Sequence, residues 1–134
     1  MRLQKNTLLA LYSMLEFAGT PARQFSVGDL AGRLKASPHH LAKVLRALGR
    51  AGLVDSVRGA RGGYRFAANP RRTTLMDVIG LFEEVGPRRG RRPGRGAQGA
   101  VAEVLAEIDS TARATFSSVT LDTMLKLMAR RERG

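Results

Sequence analysis

Five side chains able to bind polyanions, His39, His40, Lys43, Arg46 and Arg50, fall within one stretch of 12 residues. On a helix, residues 39, 43, 46 and 50 line up as a single stripe. Such a stripe is either an ordinary solvated face or a set of donors for phosphates and base edges. Shortly after it comes Arg58-Gly59-Ala60-Arg61-Gly62-Gly63, a turn with two arginines and three glycines. Glycine lets a backbone approach a phosphate closely, because no Cβ intervenes. An arginine at such a tip suits a minor groove, where the negative potential is strongest if the groove is narrow. A nucleotide-cradling loop would need the Lys-Ser or Lys-Thr pair of a P-loop, and that pair is missing.

The same residues argue against an enzyme. The chain has no cysteine, which excludes disulfides, thiolate zinc sites, cysteine-ligated iron–sulfur clusters and thiol catalysis. Its only two histidines are neighbours. On a helix they point about 100° apart and do not converge on one metal. No recognisable motif assembles a Ser-His-Asp set or a pair of glutamates.

Charge points to the partner. The 134 residues carry 23 Lys and Arg against 11 Asp and Glu, a net charge of +12. Nucleic acid is the first candidate and an acidic membrane surface the second. Residues 1–82 hold 13 of the cations and 4 of the anions, so the footprint is expected there. A hydrophobic content of 43% is that of a globular chain. No apolar run approaches the ~20 residues of a membrane helix, and the first residues lack a signal-peptide core. A soluble, cytoplasmic protein is expected.

The elements that must position these side chains follow from periodicity. Leu8, Leu11, Tyr12, Leu15 and Ala18 predict a helix over 6–18, stopped by Gly19, Thr20 and Pro21. Ser26 and Asp29 predict the capped start of a short helix over 27–34. Ser37 then caps a third helix whose first turn accepts Pro38, with Leu41, Val44, Leu45 and Leu48 on its buried face. Two helices joined by about three residues have the layout of a helix-turn-helix, whose second helix reads DNA. The alternating runs at 53–57 and 64–67 predict a hairpin wing directly after it.

Thr74-Leu75-Met76-Asp77 opens a further helix as a capping box and carries it through Phe82. Residues 86–99, with five arginines among glycines and prolines, read as a flexible basic linker, either a solvated loop or an arm that reaches phosphates. Val101, Leu105, Ile108, Ala112, Thr115 and Val119 then step along one face of a helix over about 99–116, about 27 Å long. That stripe either finds a partner surface, a second copy of the chain being the simplest, or folds back on its own domain. A last short helix is expected over Leu121–Met128. The division is 1–84 as a winged helix-turn-helix domain, 85–99 as linker and 100–134 as a helical dimerisation arm.

With these motifs in place, the sequence resembles the Rrf-two family of bacterial transcriptional regulators. The likeness is densest in Leu53-Val54-Asp55-Ser56-Val57-Arg58-Gly59-Ala60-Arg61-Gly62-Gly63-Tyr64. It extends to Ser37-Pro38-His39-His40-Leu41-Ala42-Lys43-Val44-Leu45-Arg46-Ala47-Leu48, to Thr74–Ile79, to Val119-Thr120-Leu121 and to the opening Met1-Arg2-Leu3. The resemblance implies a mainly α fold with a small β-hairpin wing and a long dimerisation helix, two copies of which bind a roughly palindromic DNA site. It implies major-groove contacts from His39, His40 and Lys43, with Arg46 on the same stripe. Arg58 matches the arginine that enters the minor groove, Arg61 lies next to a phosphate, and Ser37 donates to a phosphate.

Two departures stand out. Many members hold an iron–sulfur cluster on three cysteines between the post-wing helix and the dimerisation helix. Here Gly86–Ala100 has none, so no cofactor is expected. Asn6–Leu9 also replaces a stretch that often offers an arginine and an aromatic, which leaves Lys5 as a candidate phosphate contact of the first helix. The expected function is a sequence-specific, homodimeric repressor binding double-stranded DNA. The alternatives are a general DNA- or RNA-binding winged helix, and a protein-interaction module whose DNA reading is vestigial. Without a cluster, the signal is left open among a small molecule, a protein partner and protein level.

Overall fold

The computed structural model describes residues 2–59, 62–85 and 94–134. The first helix, α1 (Lys5–Gly19), runs through the middle of the fold and buries Leu9, Ala10, Met14, Phe17 and Ala18. These positions recur every three to four residues, which puts them on one face. The short strand β1 (Gln24–Phe25) follows. Phe25 meets Phe17 edge to face, with ring centroids 5.5 Å apart and planes at 87°, an arrangement favoured by the ring quadrupoles.

Helices α2 (Val27–Leu34) and α3 (Pro38–Arg50) begin as their sequences predict. Ser26 Oγ accepts the Asp29 amide at 3.0 Å. Leu30 and Ala31 of α2 and Leu41, Val44, Leu45 and Leu48 of α3 close over α1, forming the main core with Phe25 and Val54. The wing is β2 (Val54–Val57) and β3 (Gly63–Phe66), paired antiparallel from Val54↔Phe66 to Val57↔Gly63. The sheet has a third strand that alternation does not predict: β1 pairs with β3 through Gln24↔Arg65 and Phe25↔Tyr64, giving the order β1-β3-β2. Two residues are too few to show a period of two.

The C-terminal half departs from the sequence reading in three ways. Helix α4 (Leu75–Ile79) opens with the expected reciprocal capping box of Thr74 and Asp77 but stops at Gly80, ahead of Leu81 and Phe82. Helix α5 (Gly96–Ser118) starts three residues earlier than expected, so 96–99 are helical, and its 23 residues span about 34 Å. Residues 86–93 of the expected linker lie outside the described residues. Helix α6 (Leu121–Arg133) runs five residues past Met128.

The stripe on α5 divides. Ala112 and Phe116 pack on Met76, Ile79 and Val85 in a second small core. Val101, Val104, Leu105 and Ile108, nearer the helix start, are each more than half exposed. Helix α6 is no free arm. Leu121 is fully buried in the main core, and α6 packs along α1. Its entry is stitched to the segment before α4, where Leu121 N donates to Thr73 O and Leu75 N to Val119 O, both at 2.9 Å. These paired amides explain the position of α6: a buried backbone segment must satisfy its N–H and C=O groups somewhere.

Candidate nucleic-acid interface

The turn between α2 and α3 is built by Lys35, a non-glycine residue in the left-handed region (φ 53, ψ 46). Ala36 N then donates back to Ala31 O at 2.9 Å, which closes the end of α2 and redirects the chain within three residues. Ser37 starts α3. Its Oγ accepts the His40 amide at a long 3.4 Å, so the hydroxyl proton is left to donate outward. Pro38 in the first turn costs no hydrogen bond there.

Because Leu41, Val44, Leu45 and Leu48 are buried, the helical period fixes which residues face away. His39, His40, Lys43, Arg46 and Arg50 are all exposed. The two imidazoles sit with ring centroids 6.0 Å apart and planes at 64°. They form an edge-to-face pair that presents separate donors.

The wing is attached to the end of α3 by a tight connection. Gly52 has φ 77, a conformation that side chains disfavour. Leu53 N donates to Leu48 O at 3.0 Å, and Ala67 N to Leu53 O at 3.1 Å. Arg58 leaves the last paired residue of β2 and is exposed, followed by Gly59 at φ 138. Arg61, expected beside a phosphate, lies outside the described residues.

The charge on this face is nearly unopposed. Between Asp29 and Asp77 the sequence has one acid, Asp55, against ten Lys and Arg. Asp55 sits on the wing in register with Arg65. Among the described residues no carboxylate pairs with Lys43, Arg46, Arg50 or Arg58. Elsewhere cations are engaged: Arg33 binds Glu16 through Nε and Nη2 at 3.1 and 3.0 Å, and Lys126 binds Asp122 at 3.1 Å. Cations without an internal partner are the ones that can replace the counterions of a polyanion.

The structure thus brings Ser37, His39, His40, Lys43 and Arg46 onto one element and joins Arg58 to it through a short, hydrogen-bonded connection. The sequence reading missed two parts of this unit. One is Lys35 in its left-handed turn, for which a bare lysine gives no signal. The other is the packing of Tyr64 on α3, since a tyrosine in an alternating strand signals only an inward face.

The sequence model of the Rrf2 family, described as an iron-dependent transcriptional regulator, matches residues 3–127. The chain belongs to the Rrf2 family. This Rrf2 chain is 48% identical to the HTH-type transcriptional regulator BadM of Rhodopseudomonas palustris over 130 residues, covering 96% of this chain and 83% of BadM. It is 30% identical over 132 residues to the HTH-type regulator YffB of Lactococcus lactis, covering 90% and 85% of the two chains. Among solved structures it is similar to CymR, the global cysteine regulator of B. subtilis, with a TM-score of 0.79 at 26% identity over 95% of this chain and 98% of CymR. The protein is a DNA-binding transcriptional regulator with a winged-helix fold.

The iron dependence in the family description meets a donor set that does not fit it. An iron–sulfur cluster is held by thiolates, with imidazole as an occasional replacement. This Rrf2 chain has no cysteine, and its residues 86–95 are glycine, proline and arginine throughout. Among the described residues no three His, Asp or Glu side chains gather as a metal site.

Proposed function

We propose that this Rrf2 regulator is a homodimeric repressor that binds a roughly palindromic operator in the cytoplasm, without an iron–sulfur cluster. The observation that carries the reading is the acid-free, exposed face of α3 continuing into Arg58. Lys43, His39 and His40 read base edges in the major groove. Ser37 and the amide-rich start of α3 bind a phosphate, which the helix dipole favours. Arg46 contributes on the same face, Arg58 enters the minor groove, and Arg61 neutralises a neighbouring phosphate. Phosphate contacts set the register, and base contacts carry the specificity.

The dimer is supported by the exposed half of α5. Val101, Val104, Leu105 and Ile108 fall on one helix face and stay more than half exposed in a single chain. A two-fold axis lets the same face serve both protomers. Two α3 helices one DNA turn apart, ~34 Å, then match the two halves of an operator. Repression follows if the operator overlaps the polymerase site.

The test is selection of bound duplexes from a random pool, followed by competition with random duplex and with single-stranded RNA. An inverted repeat with half-sites about one turn apart is expected. A pool that stays random, or equal binding to RNA, overturns sequence-specific reading and favours a general nucleic-acid binder. The cluster-free state is checked on freshly purified protein by its optical spectrum and iron content. A charge-transfer band with stoichiometric iron would overturn it.

A further inference from the structure

We infer that Tyr64 is a positioning residue: its ring, packed on the main core beside Gly49 of α3, fixes the angle of the wing and so decides whether Arg58 reaches a minor groove. This rests on the DNA-binding reading above. Tyr64 lies on the inward face of β3, paired with Phe25 of β1 on one side and Ser56 of β2 on the other. Its Cε1 atom is 3.7 Å from the point where a Cβ on Gly49 would lie, and the Val54 carbonyl is 3.9 Å from the same point. Gly49 falls in the last turn of α3, where a glycine weakens a helix. The ring therefore lies beside the recognition helix at its exit, with space for about one methyl group between them.

A second close approach holds the other side of the same strand. A Cβ on Gly63 would collide with the Phe25 carbonyl, so β3 sits tightly against β1. The base of the wing is held tightly against β1, and the Tyr64 ring lies between that base and the end of α3. Beyond it the hairpin is a lever. From Val54 to Arg58 is about 13 Å at a strand rise of about 3.3 Å per residue, so a tilt of roughly 10° moves Arg58 by about 2 Å. Side-chain recognition tolerates about 0.5 Å. Arg58 is exposed, so no packing of its own corrects such a tilt.

The experiment measures binding of the full chain, by fluorescence anisotropy, to two duplexes. They share the selected half-sites and differ only in A·T-rich or G·C-rich steps under the wing. Arg58→Ala is expected to lower the A·T preference about tenfold, and Tyr64→Leu to lower it by a similar factor. The double variant should lose no more than Arg58→Ala alone. Tyr64→Phe and Gly49→Ala should keep the wild-type preference, because the ring remains and an alanine Cβ at 3.7 Å makes ordinary contact. Should circular dichroism show Tyr64→Leu to be unfolded, Gly49→Leu, which pushes the ring aside from the helix, gives the same reading. An unchanged preference in the variant that folds, or losses that multiply in the double variant, overturns the inference. Wild-type protein that binds neither duplex overturns the DNA reading and the inference with it.

Discussion

Arg113 Nη1 donates a 3.0 Å hydrogen bond to the Val85 carbonyl oxygen. The bond ties the C-terminal third of α5 to the point where the chain leaves the α4 region, beside the small core of Met76, Ile79 and Val85. It holds Val85 against α5. Arg113→Ala leaves a half-buried carbonyl without its charged donor. The expected cost is about 1 kcal/mol of unfolding free energy, read from the midpoint of a urea titration with unchanged slope. An unchanged midpoint would mean that water replaces the guanidinium at no cost.

Thr7 poses the opposite case. Its side chain is fully buried on α1, and among the described residues its Oγ1 has no hydrogen-bond partner. Ser13, one face along, shows the usual solution, with Oγ donating to Leu9 O at 2.7 Å. An unsatisfied buried hydroxyl costs about 1–3 kcal/mol, and valine has nearly the same shape without the oxygen. Thr7→Val is therefore expected to raise stability by about 1 kcal/mol in the same titration. Its DNA affinity should match the wild type. A less stable Thr7→Val protein would reveal a water or a partner for that hydroxyl.

How far the sequence could be read depended on whether local chemistry decides the local structure. The caps did. Ser26, Ser37 and Thr74 each accept the amide three residues on, because that interaction lies within one turn. The buried face of α3 was legible for the same reason, and with it the opposite, basic face. What was illegible depends on distant partners. The strand β1 exists because Gly63 admits the Phe25 carbonyl, and α6 lies on α1 because its entry pairs with Thr73. Lys35 in the left-handed region is a local feature, yet a lysine there costs roughly 1–2 kcal/mol and is seldom expected. Of the candidate site, the α3 residues and Arg58 were legible as types and spacings. The placement of the Tyr64 ring beside Gly49 was not.

Lys43 and Arg46 separate base reading from phosphate binding. Lys43→Ala is expected to change base preference at one position in each half-site, because its ammonium donates to a base edge. The selected motif should otherwise be intact. An unchanged motif would reassign Lys43 to the backbone. If Arg46 neutralises a phosphate, Arg46→Ala should weaken all sequences alike and reduce the salt slope by about 1 for each phosphate left un-neutralised. The two variants thus diverge in measurements that a general loss of folding would move together.

Leu105 decides the assembly. It is 56% exposed, lies between Val104 and Ile108 on the free half of α5, and has no place in either core. Leu105→Glu would put a charge into the face proposed to meet its twin, while a single chain loses no packing. Sedimentation equilibrium at micromolar concentration is expected to give a mass near 29 kDa for the wild type, twice the 14.5 kDa chain, and one chain for the variant. Far-ultraviolet circular dichroism should be unchanged. Operator affinity should fall about 100-fold or more, because the second half-site is then no longer bound at high effective concentration. A variant that stays dimeric would move the interface to the other exposed large apolar side chains among the described residues, Tyr12 on α1, Leu81 after α4, and Leu127 and Met128 on α6. The two α3 helices would then no longer be spaced by α5, and the half-site separation found by selection would have to be explained from those side chains.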